Sequence, residues 1–210
     1  MNSKYLPVWT LFHIAGIFLA AAILGQRATA FAAYSGTLLL YWVSCWITIF
    51  LFGTKTPSPL NAVETRAIFD WLPFVPIVGV AGVAISKSAL FPNVPTTLLV
   101  LVAAIINGIT EEWYWRRMYT SHFFPVLFRG LIFPWLIFTV FHIALLGIPD
   151  IVYEGGGLAL VGGAGILGAI WGISYWLNQR YWIIAAAHAS VNFFAFLMLA
   201  TDNKWLIRLI

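Results

Sequence analysis

The stretch Leu98-Leu-Val-Leu-Val-Ala-Ala-Ile-Ile-Asn-Gly-Ile-Thr-Glu-Glu-Trp-Tyr-Trp-Arg116 decides how this chain is read. From Leu98 to Thr110 the only polar side chains are Asn107 and Thr110, and then two carboxylates arrive side by side at Glu111 and Glu112. Taken over residues 96–119, the run is long enough to cross a hydrocarbon core of about 30 Å as a helix. Similar runs at 6–24, 31–52, 72–90, 131–148, 157–177 and 183–200 predict a polytopic, all-α transmembrane bundle of seven spans. Thr56-Pro57-Ser58-Pro59 could lead into a further short or re-entrant helix around 58–70, which would make eight. A barrel is excluded because no alternating in/out pattern occurs, and lipid demands that the backbone be paired internally.

Composition agrees. Hydrophobic residues make up 62% of the chain and charged residues only 9%, with a mean hydropathy of +0.93. Soluble domains carry roughly a quarter charged residues, so a water-facing surface cannot be built from this sequence. The 210 residues are expected to form one integral membrane domain, with a motif-bearing core at about 96–200. Its one cysteine, Cys45, sits inside an apolar run and offers neither a disulfide framework nor a cysteine metal cluster. Lys4 ahead of residues 6–24 has the look of a signal peptide, but the apolar run is longer than a usual signal core and more spans follow, so it reads as a retained helix.

The net charge of +4 sits at span ends, where it reports topology rather than nucleic-acid binding. With seven spans, Lys4, Lys55, Arg66, Arg116, Arg117, Arg129 and Arg180 fall on the N-terminal side, against Arg27, Lys87, Lys204 and Arg208 opposite. That imbalance predicts a cytoplasmic N-terminus. The expected location is a prokaryotic cell membrane. Glycines concentrate in the sixth span, where Gly168 and Gly172 have the spacing that lets a neighbouring helix approach closely.

Ionisable groups deep in a span cost about 2.5–3.5 kcal/mol to insert, so they need a partner or a task. Glu112 and Arg116 stand at i and i+4, suited to an ion pair along one helix, whereas Glu111 points about 100° away and has no such local partner. His142 lies within the fifth span, one helical turn after Phe138. His188 and Asn192 lie four residues apart in the seventh, on one helix face. His13 reads as an interhelical hydrogen-bonder and His122 as a loop residue. At about 1.5 Å per residue, Glu111, His142 and His188 lie at depths, counted from one membrane face, that permit convergence. Glutamate, two histidines and an asparagine supply a base, an orienting partner and donors for an oxyanion.

In order and spacing, these residues resemble the CAAX prenyl endopeptidase and bacteriocin-processing (CPBP, or Abi) membrane proteases, whose motifs EExxxR, FxxxH and HxxxN lie on successive helices. Here they read Glu111-Glu112-Trp-Tyr-Trp-Arg116, Phe138-Thr-Val-Phe-His142 and His188-Ala-Ser-Val-Asn192, and the likeness covers about residues 98–198. Many members carry glycine after the motif arginine; this chain has Arg117.

The resemblance implies an intramembrane endopeptidase acting on a membrane-associated peptide or protein. Glu111, with His142, would polarise the attacking water. His188 and Asn192 would stabilise the oxyanion, while Glu112, Arg116 and Phe138 would support the site. Two histidines and a glutamate could ligate zinc, yet the HExxH helix of zinc proteases is missing, so a mechanism without cofactor is the expectation. A transporter or scaffold using the same buried residues as a proton relay is the alternative, although the first half of the chain holds no repeat of the motifs. Prenylated tails, leader peptides and sorting-signal tails all remain open as substrates.

Overall fold

A computed structural model of the chain describes residues 1–54, 68–87 and 93–204. Among these residues seven helices are long and apolar enough to span a membrane: α1 (Ser3–Arg27), α2 (Ala30–Phe52), α3 (Ile68–Ser86), α4 (Val94–Phe123), α5 (Phe128–Leu146), α6 (Gly156–Asn178) and α7 (Tyr181–Asn203). The all-α polytopic bundle expected from composition is what the chain forms. Of the extra helix expected around 58–70, residues 58–67 lie outside the described residues, and Ile68–Trp71 instead opens α3.

Local signals account for the ends. Asn93 caps α4 by accepting the Thr96 amide at 2.8 Å, and Pro95 sits in the first turn, where its missing N–H costs nothing. Thr29 caps α2 in the same way. Span α3 starts upstream of the expected residue 72 because Leu72–Phe74 winds tightly, taking Pro73 without breaking the axis. His122 is not in a loop: it belongs to the last turn of α4, and its Nε2 donates to the Gly53 carbonyl at 2.9 Å.

Helix α4 packs along α7, α5 along α6, and α1 against both α2 and α5. Contact between α4 and α7 is close because Gly108 has no side chain: a Cβ there would lie 2.8 Å from the Ala189 backbone nitrogen. Gly168 plays the same part between α6 and α5, where an added Cβ would meet the Phe138 ring at 2.9 Å. By contrast, Gly162 and Gly163 have open space around them, so only part of the sixth-span glycine cluster serves packing.

Large apolar side chains such as Phe50, Leu158 and Val78 point outward, as a lipid-facing surface requires. Inside, Tyr41, Tyr114, Trp115, Tyr119, Phe138 and Phe141 form an aromatic core. Their polar ends are matched: Trp115 Nε1 donates to Tyr41 at 2.6 Å, and His13 bridges Tyr114 at 3.1 Å and Ser44 at 2.5 Å, the interhelical role expected of it. The sparsely buried α3 is tied down at both ends. Arg180 pairs with Asp70 at 2.6 Å and Trp171 donates to the Pro73 carbonyl at 3.2 Å, while Lys87 pairs with Glu154 at the other end.

Candidate active site

Within α4 the winding changes at the glutamates. Glu112–Met118 follows the wider π pattern, a feature that often marks functional positions. Both carboxylates turn toward one imidazole on α7, which the gap left at Gly108 brings near. Glu112 Oε1 accepts from His188 Nδ1 at 2.7 Å and lies 3.0 Å from Arg116, so the intrahelical ion pair expected from the i, i+4 spacing forms. Glu111 Oε2 lies 3.3 Å from the other ring nitrogen, Nε2. Thus Glu111, which has no local partner in sequence, finds one across the bundle.

All four of these residues are buried: Glu112 is 0%, Glu111 2%, His188 3% and Arg116 4% exposed. Such a cluster is tolerable in hydrocarbon only because the charges meet one another. Arg116 also donates to the Gly168 carbonyl at 3.2 Å and sits over the Phe138 ring, 4.4 Å from its centroid. Phe138 in turn meets His142 edge-on at 4.8 Å and His188 at 6.3 Å. The three motifs therefore share one aromatic ring.

His142 donates from Nδ1 to the Phe138 carbonyl at 2.9 Å, since a carbonyl can only accept; Nε2 is the ring nitrogen left for a second partner. Asn192 presents a buried Nδ2 with no hydrogen-bond partner among the described residues, and the Glu111 Oε2 atom is likewise without one. These groups border a cavity of about 410 Å³, lined by Glu111, His142, His188 and Asn192 and walled by apolar side chains of α2, α3, α5, α6 and α7. Glu111 and His142 share this space without a direct hydrogen bond among the described contacts.

Two neighbours had no signal in the sequence. Trp171 of α6 stacks on His188 with ring centroids 4.0 Å apart, and Tyr41 of α2 accepts from Trp115 at 2.6 Å and stacks on Phe141, the residue before His142, at 4.0 Å. Neither belongs to a spaced motif, and a lone aromatic in an apolar span reads as core. Asn107, also on the cavity wall, accepts from Trp42 at 2.7 Å.

Zinc was the cofactor weighed for such residues. Among the described residues no three His, Cys, Asp or Glu side chains converge as a ligand set. Both nitrogens of His188 face carboxylates and His142 has one nitrogen engaged, so the donors present do not fit a three-ligand metal site.

The family model described as Type II CAAX prenyl endopeptidase Rce1-like matches residues 93–194, a span that takes in all three motifs. No curated protein and no solved structure matches the chain. Over residues 93–194 the chain is thus similar to the Rce1-like type II CAAX prenyl endopeptidases.

Proposed function

We propose that the protein is an intramembrane endopeptidase in which Glu111 activates water against the scissile carbonyl of a membrane-associated peptide. The observation that carries this reading is the buried Glu111 carboxylate, whose Oε2 lies 3.3 Å from His188 Nε2, at the wall of a cavity that it shares with His142, His188 and Asn192. A water between Glu111 and His142 Nε2 would be held by both. As its oxygen attacks the carbonyl carbon, Glu111 takes its proton. Negative charge then develops on the carbonyl oxygen, where Asn192 Nδ2 and His188 Nε2 are the donors at hand. When the carbon–nitrogen bond breaks, Glu111 returns the proton to the leaving amine. Glu112, held by Arg116, fixes the His188 ring from behind. No step passes through a metal ion.

The test is cleavage of a farnesylated peptide with a CAAX terminus by the reconstituted protein, paired with terminal proteomics of cells carrying wild type or Glu111→Gln. The variant is expected to lose at least ~10²-fold in kcat, the usual scale for a general base, with thermal stability near wild type. Activity is expected to survive exhaustive chelation. A Glu111→Gln protein that still cleaves would sink the reading, and loss with chelator restored by zinc would replace its water-activating step.

A further inference from the structure

The family match begins at residue 93, so α3 lies outside it. Yet α3 is tied to the site through one indole. Trp171 of α6 is 1% exposed, lies between the second and third motifs, and belongs to neither. Its Nε1 donates to the Pro73 carbonyl at 3.2 Å, in the tight turn Leu72–Phe74 of α3. Pro76, three residues further on, has no N–H to offer that carbonyl, so an outside donor suits it. The start of α3 is in turn held at the end of α6. Asn178 donates to the Phe69 carbonyl at 3.0 Å, and Arg180 pairs with Asp70 at 2.6 Å.

The indole face stacks on His188, with centroids 4.0 Å apart and planes at 25°. That imidazole is firmly held at one edge only. Nδ1 is bonded to Glu112 at 2.7 Å, whereas Nε2 lies 3.3 Å from Glu111, longer than the usual N–H···O range. Nδ1 neighbours the ring carbon that carries the stem, so Nε2, at the far edge, is the atom that moves when the ring tips. A flat partner against the face removes that motion. Phe138 meets the same ring edge-on at 6.3 Å and gives it no such support.

We propose that Trp171 is a positioning residue for His188: its indole, moored to α3 at Pro73, fixes the plane of the imidazole and keeps Nε2 turned to the cavity beside Glu111. The assignment rests on the reading of His188 as a donor to the oxyanion. It also gives α3 a part in the site, through a side chain outside the three motifs.

Four variants and two readouts test it in the reconstituted protein. Trp171→Leu and Trp171→Met replace the flat face by apolar chains of two shapes, so that one serves if the other does not fold. Trp171→Phe keeps a flat face. Trp135→Leu is the packing control: it removes another indole bond to α6, donated to the Gly165 carbonyl at 2.7 Å, and Trp135 does not line the cavity. With the farnesylated CAAX peptide, Trp171→Leu and Trp171→Met are expected to lower kcat by about tenfold with KM unchanged, the upper scale of one aromatic pair. Trp171→Phe and Trp135→Leu are expected to stay within about threefold of wild type, the latter while losing thermal stability. The second readout needs no substrate. Carbethoxylation of His188 by diethyl pyrocarbonate, mapped by mass spectrometry, should speed up severalfold in Trp171→Leu and Trp171→Met but not in Trp135→Leu.

A wild-type kcat or a wild-type labelling rate in Trp171→Leu and Trp171→Met would overturn the proposal. A raised KM with kcat unchanged would also overturn it, by making Trp171 a wall for substrate. Equal losses of kcat in Trp171→Phe or in Trp135→Leu would do the same, the first by removing the role of the flat face and the second by making the effect one of packing. If wild type does not cleave the peptide and Glu111→Gln leaves every peptide terminus in cells unchanged, the protease reading fails instead. The labelling experiment then still decides whether Trp171 holds His188.

Discussion

Glu112 is the residue on which the site's charges are balanced. It accepts from His188 and pairs with Arg116, and all three are buried. Removing one member of a buried pair leaves the other uncompensated, at a cost of about 3–5 kcal/mol. Glu112→Ala and Arg116→Met are each expected to destabilise the protein by about that amount, and the double variant by clearly less than their sum. Chemical unfolding in detergent measures this; additive losses would mean that the two side chains do not act as a pair. At this scale the sequence was half legible. Glu112 with Arg116 followed from the i, i+4 rule, because helix geometry alone places those side chains together. Glu112 with His188, 76 positions apart, did not.

Among the elements, the junction of α4 with α7 decides whether the motifs meet. Gly108 lies one turn before Glu112, and Ala189 directly follows His188, so the helices touch where the site is built. Gly108→Val is expected to cost about 1–3 kcal/mol, since the Ala189 backbone has nowhere to retreat. It should also lower cleavage by moving His188 away from both glutamates. Gly163→Ala, with nothing within 4 Å of the added carbon, should change stability by less than about 0.5 kcal/mol. A thermal-shift series on the two variants separates the cases; equal losses would show that the contact at Gly108 is not what sets the helix spacing. Sequence reading singled out Gly168 and Gly172 from their GxxxG spacing and passed over Gly108. A lone glycine in an apolar run carries no sign of what lies opposite it.

Across the whole molecule, the burial of Arg116 alters the topology argument. It belongs to the site rather than to a loop, so the cations on the N-terminal side fall to Lys4, Lys55, Arg66, Arg117, Arg129 and Arg180, against four opposite. The excess still favours an N-terminus in the cytoplasm. Single cysteines test it, because Cys45 is buried and silent to a membrane-impermeant maleimide. Gln26→Cys, in the exposed last turn of α1, is expected to label in intact cells, and Asn2→Cys only after permeabilisation. The reverse pattern would invert the protein in the membrane.

What the sequence by itself determined is the helical bundle and the identity of the polar residues within it. Both follow from one-dimensional constraints: a span needs a minimum apolar length, and hydrocarbon penalises every ionisable group that has no reason to be there. Tertiary structure alone decided which of those groups touch. Glu111 and Glu112 share the two nitrogens of His188, Trp171 covers that ring, and Tyr41, from a helix that reads as generic apolar sequence, packs on Phe141 beside His142. Such pairings depend on helix rotation and separation, which small residues such as Gly108 set by letting backbones approach, and no spacing along the chain encodes them.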